Sequence, residues 1–189
     1  MTNQLAVHVA SAIAQLSSPG SHAIRMSAEC RKTISAPGTH QLAFAWMSGQ
    51  KVSLPITAPT SEDWALYLAV SIFATHSQSN PHPAHVRGTT FGTALKELAL
   101  LRDIRPVERR AYAALSVSNP KRLAVHLRGL IAMMRDAGIG FDYVRFAYDL
   151  QTLIDPARRS SDVSRAWGRD LNRPDFTDPP ASPLRSYNK

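Results

Sequence analysis

The chain has 189 residues, 44% hydrophobic and 19% charged, a balance of a single globular domain and not of a disordered or fibrous chain. Its 22 Lys and Arg against 14 Asp and Glu leave a net charge of +8, which favours nucleic acid, an acidic protein or an anionic membrane as partner. A single cysteine, Cys30, excludes an internal disulfide and fits a reducing cytoplasm. The N-terminus lacks the basic start and long apolar run of a signal peptide, and no stretch of about 18 apolar residues offers a membrane span.

The predicted elements are all helical. Leu5, Val9, Ile13 and Leu16 recur at helical spacing until Ser17-Ser18-Pro19-Gly20. A second helix over about 22–35 carries Ile24, Ala28 and Ile34, with Arg31 and Lys32 near its end. A short apolar helix is expected over 39–49, followed by a proline-containing connector at 50–59. Thr60 or Ser61 then caps a helix through about His76. Glu62 and Asp63 suit its first turn, and its apolar residues surround it, which predicts a central position. Ser, Asn, Pro and Gly make 77–90 the longest loop and predict a mobile one.

Thr90 precedes a helix with Phe91, Leu95, Leu98 and Leu101 inward and Lys96 outward. Pro106 is expected to open the next helix, with Val107, Ala111 and Ala114 apolar and Arg109 and Arg110 on other faces. Asn119-Pro120 reads as a cap and first-turn proline of a long helix ending at Gly138. On it Leu123, Leu127, Leu130, Ile131 and Met134 share one arc, while Lys121, Arg128 and Arg135, seven apart, are expected on the opposite arc. Asp142 caps the following helix, which Asp155-Pro156 breaks, and a last helix runs over about 161–172. The expectation is an all-α compact bundle of about eight helices, one domain over 1–173, with a basic face and a disordered proline-rich tail at 174–189.

The charge is uneven. Residues 1–86 hold four basic and three acidic groups, residues 87–173 sixteen and nine, and residues 174–189 two of each. The positive field therefore belongs to the C-terminal helices. Acidic residues are too scattered to assemble the carboxylate cluster of a metal-dependent nuclease. His82 and His85 lie in a loop without Cys or carboxylate neighbours, so no metal site or cofactor is expected and no enzyme. Arg109, Arg110, Lys121, Arg122, Arg128 and Arg135 fall on two helices joined by a tight turn and can share a surface. Arginine outnumbers lysine, which suits bidentate phosphate contacts, and few aromatics interleave, so backbone tracking is favoured over base reading. The alternative is a helical regulator reading duplex DNA through a helix-turn-helix-like element at 107–137.

Several segments resemble, in order, the small (CasB-type) subunit of the type I-E CRISPR surveillance complex, Cascade. AECRK at Ala28–Lys32 resembles the family's A-x-L-R-R. TFGTALKEL at Thr90–Leu98 resembles an (S/T)-x-G-x-A-L element that follows an apolar helix ending, here, in FATH. VERR at Val107–Arg110, HLRGLIAMMRDAGIGFDYVRFAYDL from His126, and W-x-x-D-L at Trp167–Leu171 resemble three further elements. Lys32 stands where the family has a second arginine, Gly129 where a basic residue often follows L-R, and Phe146 where leucine is common. The resemblance implies a non-catalytic subunit, present in two copies, that touches the backbone and large subunits. It also implies contact with crRNA and target DNA, stabilising the R-loop in antiviral defence. Arg31, Lys32, Arg109, Arg110 and Arg128 are the matching basic positions. Lys96, Lys121, Arg122 and Arg135 join them from helix geometry alone.

Overall fold

A computed structural model describes residues 4–35 and 59–173 of the chain, and the backbone but not the side chains of 33–35. The helix expected over 39–49, the connector at 50–58 and the tail from 174 lie outside the described residues. Within them the chain forms eight helices and no strand, as the periodicity predicts: α1 Gln4–Ser17, α2 Ser21–Ser35, α3 Ser61–His76, α4 Phe91–Leu101, α5 Ile104–Leu115, α6 Pro120–Ala137, α7 Tyr143–Ile154 and α8 Ser160–Leu171.

The centre is α3. Every residue from Ala65 to Ala74 is buried, so this helix has no wet side and its neighbours must enclose it. α1, α2, α6 and α7 do so. A capping box starts it: the Thr60 hydroxyl accepts from Asp63 N (3.2 Å) and Asp63 accepts from Thr60 N (2.8 Å). The remaining helices α4, α5 and α8 form a second group that packs on the far side of α6 and α7.

Two features fix the packing around α4. Phe91, Phe141, Tyr143, Phe146 and Trp167 make one buried aromatic cluster, with Phe91 4.6 Å from both Phe146 and Trp167 and Phe141 stacked on Tyr143 at 4.3 Å. Such pairs contribute about 0.5–1.5 kcal/mol each beyond their buried area. The second feature is the crossing of α4 over α8 at Gly92. A Cβ there would stand 2.8 Å from Asp170 Cβ and 3.0 Å from Trp167 Cα, so only a bare backbone permits the approach.

The helix ends confirm most of the predicted caps. Asn119 Oδ1 accepts from Lys121 N and Arg122 N, and Gly138 closes α6 in the left-handed conformation with φ 71°. α5 begins earlier than expected, because Asp103 caps it by accepting from Arg105 N (3.0 Å). Pro106 still sits in the first turn, where no N–H is needed.

The segment 77–90, predicted mobile from composition, is instead tied down. Val86 N donates to Phe141 O and Phe141 N to Ala84 O, and Ala84 is buried. Asp142 N donates to Thr89 O at 2.7 Å. The buried Asp142 carboxylate accepts from Gly88 N, Val144 N and Arg145 N, capping α7 and holding the segment with one side chain. His85 Nδ1 accepts from Tyr143 N at 3.1 Å. These partners lie more than fifty residues away in sequence, which local composition does not register.

His76 ends α3 in full burial, its Nδ1 2.8 Å from the hydroxyl of the equally buried Tyr143. Burial pushes the Tyr143 phenol up, so it stays protonated and donates to the ring. Burial also lowers the His76 pKa from 6.5 to about 4; the Ile139 backbone opposes that shift and the Arg135 charge adds to it. The folded state therefore holds His76 neutral where the unfolded chain takes up a proton. Its contribution is complete above about pH 6.5 and is lost as pH falls toward 4, by at most about 1.4 kcal/mol per pH unit.

This packing can be tested at two positions. Urea unfolding of His76→Phe should show a lower stability than wild type at pH 7.5, by about 1–2 kcal/mol, because the Tyr143 hydroxyl loses its acceptor. The deficit should shrink as the pH is lowered from 6.5 to 4; a constant deficit would refute the burial of a neutral His76. Gly92→Ala should cost about 1–3 kcal/mol, since main-chain atoms of α8 must retreat. Amide exchange in α8 should accelerate in that variant, and unchanged protection there would contradict the crossing.

Candidate nucleic-acid interface

α5 turns Val107, Ala111 and Ala114 into the core, which leaves Arg109 facing outward and Arg110 on the flank toward α6. Arg110 lies across Gly129. A Cβ at Gly129 would stand 3.3 Å from Arg110 Nε and 3.4 Å from its Cδ, so the arginine stem rests on bare backbone. Its guanidinium donates back to Pro106 O at 3.3 Å. The residue missing a side chain in α6 thus makes room for a cation from α5.

α6 buries Leu123, Ala124, Leu127, Leu130, Ile131 and Met134. At about 100° per residue, Lys121, Arg128 and Arg135 stand roughly 80–120° to one side of this arc, and Arg122 and Gly129 lie toward the other edge of the outer face. Val125, 57% exposed, lies between them. The hairpin of α5 and α6 therefore brings Arg109, Arg110 and Arg122 to one border of a wet face and Lys121, Arg128 and Arg135 to the other. Arg109, Lys121 and Arg122 are exposed, and among the described residues their side chains have no hydrogen-bond or ion-pair partner. Arg135 pairs with its neighbour Asp136 at 3.3 Å.

The other predicted cations stand apart from this face. Lys32 is exposed and bonded to Glu29 at 2.7 Å. Arg31, half-buried, lines a hollow of about 430 Å³ between the α1–α2 turn and the end of α3, with Ser77 to Ser79 opposite it. A cation there complements the carbonyl ends of α1 and α3. Lys96 lies on the α8 side of α4, where its ammonium reaches Arg173 O at 2.5 Å.

A second basic feature was not anticipated. Between the N-terminus of α4, α7 and α8 opens a cleft of about 730 Å³ whose lining includes Arg145, Arg169 and Arg173. Its floor is polar and connected. Trp167 Nε1 donates to Asp149 Oδ2 at 2.7 Å, and Thr90 Oγ1 donates to Asp170 Oδ2 at 2.6 Å. Burial pushes the Asp149 carboxyl up from 3.8 to about 6, against the opposing Trp167 N–H and Arg145 charge and together with Asp170. A hint was present in the sequence: Arg165, Arg169 and Arg173 are four apart, one stripe of a helix. The partners of that stripe come from segments twenty to eighty residues away.

The histidines considered for metal binding have other tasks. His85 accepts a backbone N–H of α7, and His82 lies against Gly138. Among the described residues no three His, Cys, Asp or Glu side chains are grouped to hold a metal ion, and no helix is long and apolar enough to cross a membrane. Burial pushes the Cys30 thiol up to about 12, with Glu29 adding and Arg31 opposing, so the thiolate is scarce at neutral pH.

The same architecture occurs in known proteins. CasB from Thermobifida fusca superposes with a TM-score of 0.68 at 21% identity, over 89% of this chain and 98% of that one. A Cse2-family CRISPR-associated protein from Thermus thermophilus gives 0.64 at 21% identity, over 86% and 96%. A structure of CasB, also from Thermus thermophilus, gives 0.65 at 22% identity, over the same shares. These likenesses establish a shared fold. No curated protein sequence matches the chain. The profile of the family described as CRISPR-associated protein Cse2 matches residues 26–171, most of the chain and nearly all of its described helices. On that match, in agreement with the resemblance read from its motifs, the chain belongs to the CRISPR-associated Cse2 family.

Proposed function

We propose that this protein is the non-catalytic small subunit of a type I-E Cascade complex in the cytoplasm, and that the outer face of α5 and α6 holds the phosphate backbone of an R-loop. The observation that carries the reading is the pair of cationic borders on one wet face: Arg109, Arg110 and Arg122 along one edge, Lys121, Arg128 and Arg135 along the other. Family membership supplies the context of a CRISPR complex. Contacts with the backbone and large subunits, with a second copy, and with crRNA and target DNA belong to the proposal.

The physical case is one of balance. Opening DNA against a guide exchanges one duplex for another of similar stability, with steps of about 1.4 kcal/mol each. A protein that adds a few phosphate contacts to the displaced strand or to the guide–target duplex shifts this near-even exchange without reading sequence. Arginine stems fixed by packing, as Arg110 is on Gly129, lose little freedom when they meet a phosphate. Tyr112, the exposed aromatic of α5, lines a hollow toward α8 and stands one helical turn from Arg109.

The competing reading as a duplex-reading helix-turn-helix finds less support. α6 is packed by α2, α3, α4 and α5, and its first turn is occupied by the Asn119 cap. A recognition helix needs to stand proud enough for its N-terminal side chains to reach base edges.

Charge reversal at the three exposed positions Lys121→Glu, Arg122→Glu and Arg128→Glu leaves the core arc intact and tests the face. In the assembled complex it should shorten R-loop lifetime at least tenfold. For single-stranded DNA it should make the dependence of log K on log[salt] shallower by about 2, at roughly 0.7 per lost contact. Unaltered lifetime and slope in a folded variant would remove the face from the account.

A further inference from the structure

We infer that the cleft between the N-terminus of α4, α7 and α8 is a second anion site, built to take a phosphate group. The inference rests on the reading above only in choosing phosphate as the anion; its location and residues are separate. Arg145 and Arg169 reach the cleft from different helices, and Arg173 joins them from just beyond α8. Arg145 and Arg169 are exposed and, among the described residues, their side chains make no hydrogen bond or ion pair, although the Arg145 charge acts on Asp149. Two carboxylates are close and each is committed, Asp170 to Thr90 and Arg173 and Asp149 to the Trp167 indole.

That commitment is specific. Asp170 accepts from the Thr90 hydroxyl at 2.6 Å and from Arg173 at 3.4 Å. Asp149 accepts from the Trp167 indole at 2.7 Å, so one of its oxygens is turned to the floor. Thr90 and Thr93, at the start of α4, line the opposite wall, where the helix dipole is positive. Three guanidiniums offer more N–H donors than one carboxylate can accept, whereas a phosphate accepts on several oxygens at once. A volume of about 730 Å³ admits a phosphate with its attached nucleoside.

The site also accounts for the packing of several of the motif segments. Thr90, Asp149, Trp167 and Asp170 line the cleft, bonded as Thr90 to Asp170 and Trp167 to Asp149, with Gly92 packed behind Trp167 and Asp170. The hydrogen-bonded floor lies beneath the exposed Arg145 and Arg169 and the Asp170-paired Arg173.

The indole of Trp167 sits in the floor and gives a local reporter. Nitrogen-15 indole spectra of the full chain, with Trp46 and Trp64 as internal controls, can follow additions of pyrophosphate, thymidine monophosphate and a short oligothymidylate at constant ionic strength. The Trp167 resonance should shift and saturate with at least one of the three, while Trp64 stays in place. In Arg145→Glu/Arg169→Glu the starting spectrum should be unchanged and the response lost. Saturation by the oligonucleotide alone assigns the site to a phosphodiester backbone; saturation by pyrophosphate or the mononucleotide assigns it to free phosphate groups. A Trp167 resonance that ignores all three, or that moves equally in the double variant, would overturn the inference. The α6 triple variant should keep its Trp167 response, so failure of the α6 face and failure of the cleft are read separately.

Discussion

The whole bundle depends on one constraint: α3 is apolar on every side. A helix that cannot tolerate water anywhere must be walled in, and α1, α2, α6 and α7 are the walls. Each wall helix then has an inner arc fixed by α3 and an outer arc left to solvent. The outer arc of α6 is where the cations stand, so the position of the basic face follows from the burial of a helix that carries no cation of its own. The same logic explains why His76 is neutral: the end of α3 is as enclosed as its middle, and a charge there has no water to face.

The motifs that mark the family divide into two physical classes. Gly92, Trp167, Asp170 and Asp149 make contacts with one another, and their spacing is a record of the α4–α8 crossing and its floor. Arg109, Arg110 and Arg128 contribute little to the core and stand where a partner can reach them. Gly129 links the classes. A basic residue is common at that position in the family resemblance; here its place is bare and Arg110 lies over it.

Much of this was legible in the residues themselves. The all-round apolar run of α3, the Asn119-Pro120 cap, the Gly138 stop and the Asp142 cap depend on local chemistry, and each appears where that chemistry places it. The failures share a cause. Loop 77–90 looked mobile because its own composition is that of a mobile loop; the groups that hold it, Phe141 and Asp142, arrive with a later turn. The arginine-lined cleft is assembled from three segments, and the Arg165, Arg169 and Arg173 stripe of one of them does not reveal the other two.

The central claim is that this chain holds nucleic acid by phosphate contacts without reading bases. The most direct measurement is the salt dependence of binding for two single strands of equal length and unrelated sequence. Equal affinities and equal, steep linear slopes of log K against log[salt], about −2 or steeper, are the predicted result. A slope near zero, or affinities that differ tenfold between the two sequences, would contradict it.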